Sequence, residues 1–159
     1  MSTATKSTKR SNRPLDAAEM AAWRTFIETH NDLINAIEDG LAPAGLTLGD
    51  YQVLVTLSEA DDLAMRMCDL ADVLQLTPSG ATRRLDGLVR AGWVERNTSD
   101  ADRRVMLASL TPAGWDKLRE AYVPHLASVR TNLIDLLDAD ELATLAGIFA
   151  KVRGHLDAE

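Results

Sequence analysis

This 159-residue sequence lacks several features that would place it in a specialised class of protein. Its single cysteine, Cys68, excludes an internal disulfide framework and a zinc knuckle built from several cysteines. No apolar run approaches the roughly 18 residues that a transmembrane helix requires. The first segment, MSTATKSTKRSNRP, lacks the apolar stretch of a secretory signal. We therefore expect no membrane partner and a cytoplasmic location.

Motifs for catalysis and for cofactor binding are also lacking. The sequence has no glycine-rich phosphate loop, no nucleophile motif and no clustered set of metal ligands. Its three histidines, His30, His125 and His155, have no partner four residues away and no clustered acids, which argues against a metal-sensing repressor. We expect a protein that is not an enzyme and that has no cofactor.

Positive charge is scarce overall but is concentrated in two segments. The net charge is −7; residues 1–13 contribute +4, residues 77–104 contribute +2 through six arginines and four acids, and the remainder contributes −13. An acidic body with two basic segments is consistent with a polyanion that contacts one side of the protein. Solvated arginines can also cluster by chance, and charge alone does not separate the two explanations.

Apolar residues at steps of three and four predict helices over most of the chain. The first runs from Leu15 to Leu41, and Thr47 is expected to cap a second helix that ends near Ala60. Pro124 is expected to bend or break the C-terminal helical portion. The residues Asp138 and Glu141 resemble a capping arrangement for a last helix.

The middle of the chain has the pattern of a helix-turn-helix followed by a hairpin. A short helix with Leu70 and Ala71 on its buried side precedes Thr77, which has the features of an N-cap with Pro78 behind it. The helix that starts there, the recognition helix, ends at Gly92. The segments WVER and RRVMLASL, separated by the polar NTSDAD, then predict two strands.

This order of elements predicts a mainly α fold, in which a winged helix-turn-helix with a two-stranded wing lies inside a helical frame. In such a unit the recognition helix enters a major groove and the wing extends along the duplex. The expected organisation is a disordered basic tail (1–13), an N-terminal dimerisation helix (14–45), the winged helix-turn-helix lobe (46–114) and C-terminal dimerisation helices (115–159).

From about residue 16 onwards the sequence resembles the MarR family of bacterial transcription regulators. The resemblance rests on a recognition helix with Ser and Thr near its start, a Gly before the wing, D-x-R at the wing tip and L-T-x-x-G after it. These positions are Ser79, Thr82, Gly92, Asp102, Arg104, Leu110, Thr111 and Gly114. The sequence departs from the family pattern at Gly80 and Gly87 within the recognition helix, and at Arg84, where an aliphatic residue is more usual.

The resemblance implies a homodimer, held by the N- and C-terminal helices, that binds a pseudo-palindromic operator in double-stranded DNA. Members of the family usually repress transcription. Many release DNA when a small, often aromatic anion binds between the dimer helices and the DNA-binding lobe. The alternative, from a different functional class, is a winged-helix module that docks on proteins and has no sequence-specific DNA binding.

Seven side chains are candidates for contacts with DNA. Arg83 is the best candidate for reading a base, since a guanidinium can bond two acceptors of a guanine edge. Arg104 takes the family's wing-arginine position and is expected to enter a narrow minor groove, while Asp102 supports the wing tip. Arg84 and Arg90 are expected either to contact phosphates or to form surface ion pairs. The full set is Ser79, Thr82, Arg83, Arg84, Arg90, Arg103 and Arg104.

Two further sets of residues have open roles. On the first helix, Trp23, Arg24, Phe26 and His30 could line an effector pocket in which Arg24 pairs with an anion, but the simpler interpretation is that Trp23 and Phe26 form dimer core. We expect Cys68 to be a structural thiol, because no second cysteine is present to resolve an oxidised form.

Overall fold

The computed structural model describes residues 13–99 and 102–158, so the predicted basic tail lies outside the described residues except for Arg13. The polypeptide divides after Asp32 into two compact units. The helices and strands of the described residues are α1 (Ala17–Leu41), α2 (Leu48–Ser58), β1 (Ala64–Arg66), α3 (Met67–Val73), α4 (Pro78–Arg90), β2 (Val94–Thr98), β3 (Met106–Leu110), α5 (Pro112–Asn132) and α6 (Ala139–Leu156).

The first unit contains the N-terminal part of α1. Arg13, which precedes this helix, forms an ion pair with Glu19 in its first turn. Hydrogen bonds from Arg13 and from the backbone N–H of Asp16 lower the pKa of the Glu19 carboxyl. An acid in the first turn also interacts favourably with the positive end of the helix dipole.

Residues 33–158 form the second unit, in which helix caps fix the chain at several turns. Thr47 caps α2 as predicted: its Oγ1 accepts from the backbone N–H of Asp50 at 3.1 Å, and the Asp50 carboxylate accepts from the N–H of Thr47 at 3.2 Å. The last helix begins with the same reciprocal arrangement, formed by Asp138 and Glu141. The predicted capping box is therefore confirmed at α6.

Helices α3 and α4 form the predicted helix-turn-helix. Thr77 caps α4 by accepting from the N–H of Gly80 at 3.1 Å, with Pro78 at the first helical position. Gly92 follows the end of α4 with φ = 76°, a left-handed conformation that glycine adopts without a steric penalty. The core of the lobe is continuous through these helices, the strands and α2; its fully buried large residues are Leu41, Val53, Leu54, Leu57, Leu70, Leu85, Leu88 and Val94.

The predicted two-stranded hairpin of the wing is present as β2 and β3, and a third short strand, β1, extends it to a sheet of three strands in the described residues. The order is β1-β3-β2 and both pairings are antiparallel. Strand β1 comprises only Ala64–Arg66, and Met65 pairs with Ala108 of β3. Three residues are too few to show the alternation that marks a strand. The pairing with β3 therefore defines β1, and the local sequence does not.

Helix α5 continues through Pro124, so of the bend or break expected at this residue the break is absent. Proline removes one helical hydrogen bond and usually destabilises a helix interior. Packing on both sides of the proline opposes that effect: Ala121 is fully buried, and Ser128 donates from Oγ to the carbonyl of Ala36 at 3.0 Å. Tertiary contacts therefore outweigh the local preference of the residue.

Helix α6 has an exposed apolar side. Its residues Ile148, Phe149, Val152 and Leu156 recur at helical spacing and are all classed as exposed in the single chain. None of the helices in the described residues is both long enough and apolar enough to cross a membrane.

Candidate nucleic-acid interface

The exposed side of α4 presents Ser79, Thr82 and Arg83. They lie opposite the buried Leu85 and Leu88, whose spacing fixes the inward side of the helix. The Thr82 hydroxyl donates to the carbonyl of Pro78 at 2.9 Å, which leaves its oxygen lone pairs free to accept. The Ser79 hydroxyl is 3.2 Å from that of Thr77.

Four arginines of α4 and the wing have no partner for their charge in the part of the chain that the structure describes. Among residues 13–99 and 102–158, the guanidinium groups of Arg83, Arg90, Arg103 and Arg104 form no hydrogen bond or ion pair, and all four residues are exposed. Two belong to α4, and two follow the tip of the hairpin between β2 and β3. Unpaired guanidinium groups are suited to bond phosphate oxygens or base edges.

The wing tip is held by Asp102. Its carboxylate accepts a hydrogen bond from the backbone N–H of Arg104 at 2.9 Å, and its carbonyl accepts from the N–H of Val105 at 2.9 Å. This is the kind of turn contact expected of Asp102 from the sequence. Because it fixes the backbone at Arg104, it limits the directions in which that arginine can project.

Arg84 differs from the other arginines of α4. Its guanidinium lies 3.7 Å from the Asp50 carboxylate and 3.5 Å from Oγ1 of Thr47, so it contacts the start of α2. It also covers Gly49, where a β-carbon would collide with the guanidinium. Of the two roles that the sequence leaves open for Arg84, the structure therefore favours an ion pair within the protein.

Arg96 was missed as a functional candidate by sequence reasoning. It lies in β2, and its guanidinium forms an ion pair with Asp86 at 2.7 Å and donates to the carbonyl of Thr82 at 2.9 Å. Both partners belong to α4, ten and fourteen residues earlier in the chain. No periodicity or motif links residues at those separations, so only the fold shows the contact.

The junction between the wing and α5 explains the L-T-x-x-G spacing. Thr111 donates from Oγ1 to the carbonyl of Gly92 at 2.7 Å and accepts from the N–H of Gly114 at 3.0 Å. A β-carbon at Gly114 would overlap the carbonyl oxygen of Trp93. Threonine and glycine at these two positions therefore join the end of α4, the wing and α5.

Comparison with known proteins gives the family of the chain. A sequence profile of the MarR family matches residues 44–105. The multiple antibiotic resistance protein MarR of Escherichia coli strain K12 is 31% identical over 116 residues, which cover 73% of this chain and 79% of that protein. The chain belongs to the MarR family.

Solved structures of MarR family members share the fold. AbsC, a MarR family transcriptional regulator from Streptomyces coelicolor, is 36% identical with a TM-score of 0.88, covering 93% of this chain and 100% of that chain. Sco3205, another MarR family regulator from that organism whose structure is in complex with DNA, is 30% identical with a TM-score of 0.89, covering 93% of each chain. The predicted mainly α, winged helix-turn-helix fold is thereby confirmed.

The candidate effector residues of this MarR family chain lie along α1 in the first unit. The rings of Trp23 and Phe26 have centroids 6.2 Å apart, and those of Phe26 and His30 are 5.9 Å apart and stacked. Together with Arg24 they are exposed in the single chain. The stacking is compatible with a pocket wall and with a packing surface alike, so the effector role stays a prediction.

The second unit contains a cavity that sequence reasoning did not find. Its volume is about 480 Å³, and the rings of His125 and Tyr51, which are tilted by 37° to each other with centroids 4.2 Å apart, form part of its wall. Burial lowers the pKa of His125, and burial together with Tyr122 raises the pKa of Tyr51. The lining residues are Leu48, Tyr51, Gln52, Val55, Thr56, Val73, Leu74, Gln75, His125 and Arg153.

Cys68 is exposed, which does not fit the structural thiol expected from the sequence. Its sulfur donates to the Asp69 carboxylate at 3.3 Å. The neighbours Leu70 and Ala71 occupy the buried side of α3 and direct Cys68 outwards. In the part of the chain that the structure describes, no group of three or more histidine, cysteine or acidic residues is arranged to hold a metal ion.

Proposed function

We propose that this protein is a transcription repressor that binds a pseudo-palindromic operator in double-stranded DNA as a homodimer. The observation that carries the proposal is a set of four exposed arginines on α4 and at the wing tip that have no hydrogen bond or ion pair within the described residues, in a chain whose net charge is −7. In a winged helix these two places contact a major groove and the adjacent duplex. The DNA-bound structure of the similar Sco3205 supports this assignment.

Each DNA-contacting residue has a distinct role in the proposal. Arg83 reads a base edge in the major groove, and Ser79 and Thr82 accept or donate hydrogen bonds at the same end of the helix. Arg90 and Arg103 contact phosphates, and Arg104 enters the minor groove. Arg84 supports the lobe through its ion pair with Asp50 and makes no direct contact with DNA.

The proposed dimer is formed by the helical frame, residues 14–45 and 115–159. The exposed apolar side of α6 and the exposed rings of Trp23 and Phe26 support it, since a soluble monomer rarely leaves such surfaces uncovered. The protein acts in the cytoplasm, where the operator is located. The proposed effector is a small aromatic or anionic molecule that binds along α1 at Trp23, Arg24, Phe26 and His30.

Selection of bound sequences from random duplex DNA tests the proposal. The purified protein should enrich a two-fold related pair of half-sites, separated by about one helical turn or 10–10.5 base pairs. Affinity for the enriched duplex, measured by fluorescence anisotropy, should fall steeply as salt rises, because phosphate contacts release counterions. No enrichment together with a shallow salt dependence would instead favour a winged-helix module that docks on proteins.

A further inference from the structure

We propose that Arg96 is a positioning residue that holds the wing at a fixed orientation to the recognition helix α4, so that both contact the duplex together. The inference rests on the proposed DNA-binding function. It gives a role to a residue that belongs neither to the sequence motifs nor to the four exposed arginines described above. Its basis is the contact of one guanidinium with two residues of α4, Thr82 and Asp86, that lie one turn apart.

The backbone of Arg96 is fixed by the sheet. It pairs with Ala108 in the central strand β3, and Ala108 is fully buried. From this anchored position the guanidinium reaches the Asp86 carboxylate at 2.7 Å through one terminal nitrogen and the Thr82 carbonyl at 2.9 Å through the other. Residues four apart lie on one side of a helix, so the contact spans one turn of α4.

The planar guanidinium gives this contact directional character. The two terminal N–H groups of a guanidinium are held in one plane, so together they fix the angle between the strand and the helix. The flexible ammonium group of a lysine would not fix that angle. The Arg96 side chain is 26% exposed and that of Asp86 is 47% exposed, so solvent screens part of their attraction. The contact is therefore better suited to fix an orientation than to supply much of the stability of the lobe.

The location of Arg96 makes that orientation matter for DNA. Thr82 precedes Arg83, the proposed base-reading residue, and strand β2 continues from Arg96 towards the wing tip that carries Arg104. Because each strand residue advances about 3.3 Å, a small rotation at Arg96 displaces the wing tip by a larger distance. Loss of the contact should therefore separate two DNA-binding surfaces that otherwise act as one.

A positioning role and a purely electrostatic role predict opposite changes in DNA affinity when Asp86 is removed. Asp86→Ala removes a negative charge beside the proposed interface, which by electrostatics alone strengthens the attraction to phosphate. If Asp86 orients Arg96, the same change weakens binding. Glu95→Ala is the matched control: Glu95 is exposed in the same strand as Arg96, and its carboxylate contacts Asn97 at 3.0 Å.

We expect Asp86→Ala to weaken binding to the selected duplex about tenfold, the order of one charge-assisted hydrogen bond. Glu95→Ala should leave binding unchanged or slightly tighter. Arg96→Lys keeps the charge but loses the planar guanidinium, so it should also weaken binding, with the slope of affinity against salt unchanged. Wild-type affinity in Arg96→Lys, or tighter binding by Asp86→Ala, would overturn the positioning role.

Hydrogen exchange on the free protein separates this proposal from the DNA-binding proposal. In Arg96→Lys and Asp86→Ala, amides of β2 and of the wing should exchange faster than in wild type, while those of α2 and α5 should not change. Unchanged exchange in the wing would overturn the positioning role even if DNA binding fell. Failure of the wild-type protein to bind any duplex would overturn the DNA-binding function alone, since the exchange result is independent of DNA.

Discussion

Arg83 and Arg104 are both exposed and unpaired within the described residues, but they lie in different elements. Arg83, near the start of α4, is expected to read a base, so Arg83→Ala should cost about 1–3 kcal/mol of binding free energy and relax the preference at one position per half-site. Arg104→Ala should weaken binding to many sequences together and flatten the salt dependence, since its contribution is charge and groove shape.

Fluorescence anisotropy against the operator, its single-base variants and random DNA measures both effects. Arg119→Ala is a suitable control, because it removes the same charge from α5, where Arg119 lies over the ring of Trp115. It should change neither base preference nor affinity substantially. A reversed pattern, in which Arg104→Ala alters base preference and Arg83→Ala weakens all sequences equally, would contradict the assigned roles.

His125, in α5, is expected to make the stability of the protein depend on pH. Burial against Tyr51 lowers the pKa of His125 below its usual 6.5 in the folded state, and its Nδ1 has no hydrogen-bond partner among the described residues. The unfolded chain therefore binds a proton more readily than the folded protein below about pH 6.5, so the free energy of unfolding should fall as pH decreases through that value.

Urea unfolding at several pH values between about 5 and about 8 tests this effect, since the window brackets the usual histidine pKa. The variant His125→Gln cannot titrate there and should lose less stability than wild type as the pH falls. His155→Gln removes a histidine from an exposed position near the end of α6 and serves as the control. Equal pH dependence in wild type and His125→Gln would rule out His125 as the source.

At the scale of the helices and their junctions, replacing each of two glycines by alanine is expected to change stability in opposite directions. Gly114 lies in the first turn of α5, where a β-carbon would overlap the carbonyl of Trp93, so Gly114→Ala should destabilise the protein by about 1–3 kcal/mol. Gly87 lies within α4 with open space around its α-carbon, so Gly87→Ala should stabilise it by up to about 1 kcal/mol through helix propensity.

Thermal and urea unfolding of the two variants against wild type measures these changes in unfolding free energy. Gly80, the other glycine of α4, is an intermediate case, because its β-carbon would lie 3.0 Å from Oγ1 of its capping residue Thr77. Destabilisation by Gly87→Ala would show that this glycine has a packing role that the single chain does not contain.

At the scale of the whole molecule, we expect a dimer in solution. The exposed apolar side of α6 includes Ile148 and Val152, and dimer faces of this kind resemble a protein core divided in two. Val152→Glu should therefore shift the protein towards monomer and weaken operator binding, since two half-sites would no longer be bound together. Light scattering at micromolar concentration measures the change.

Ala150→Glu is the matched control for that experiment. It adds the same charge to α6 two residues away, and a step of two residues points to a different side of a helix. This variant should stay dimeric. A stable, folded monomer of the wild-type protein at micromolar concentration would contradict the predicted dimer.

Local sequence by itself determined the helices, their caps and the kind of fold. Thr47, Thr77 and Asp138 each cap a helix by contacts with residues two or three positions ahead, and Gly92 ends α4 through its own backbone freedom. These interactions depend on short chain separations and can therefore be read from a sequence. The same holds for the buried side of α4, which follows from helical periodicity.

Tertiary structure alone decided which arginines of the described residues form ion pairs within the protein and which do not. Nothing in the local sequence distinguishes Arg84 and Arg96 from the nearby arginines. In the fold, however, Arg84 pairs with Asp50 of α2 and Arg96 pairs with Asp86 of α4. Strand β1 likewise exists through its pairing with β3, and helix α5 continues through Pro124 while packed on both sides. In each case the deciding contact joins different elements of the fold. The free energy of such contacts depends on the folded arrangement, which the local pattern of residues does not contain.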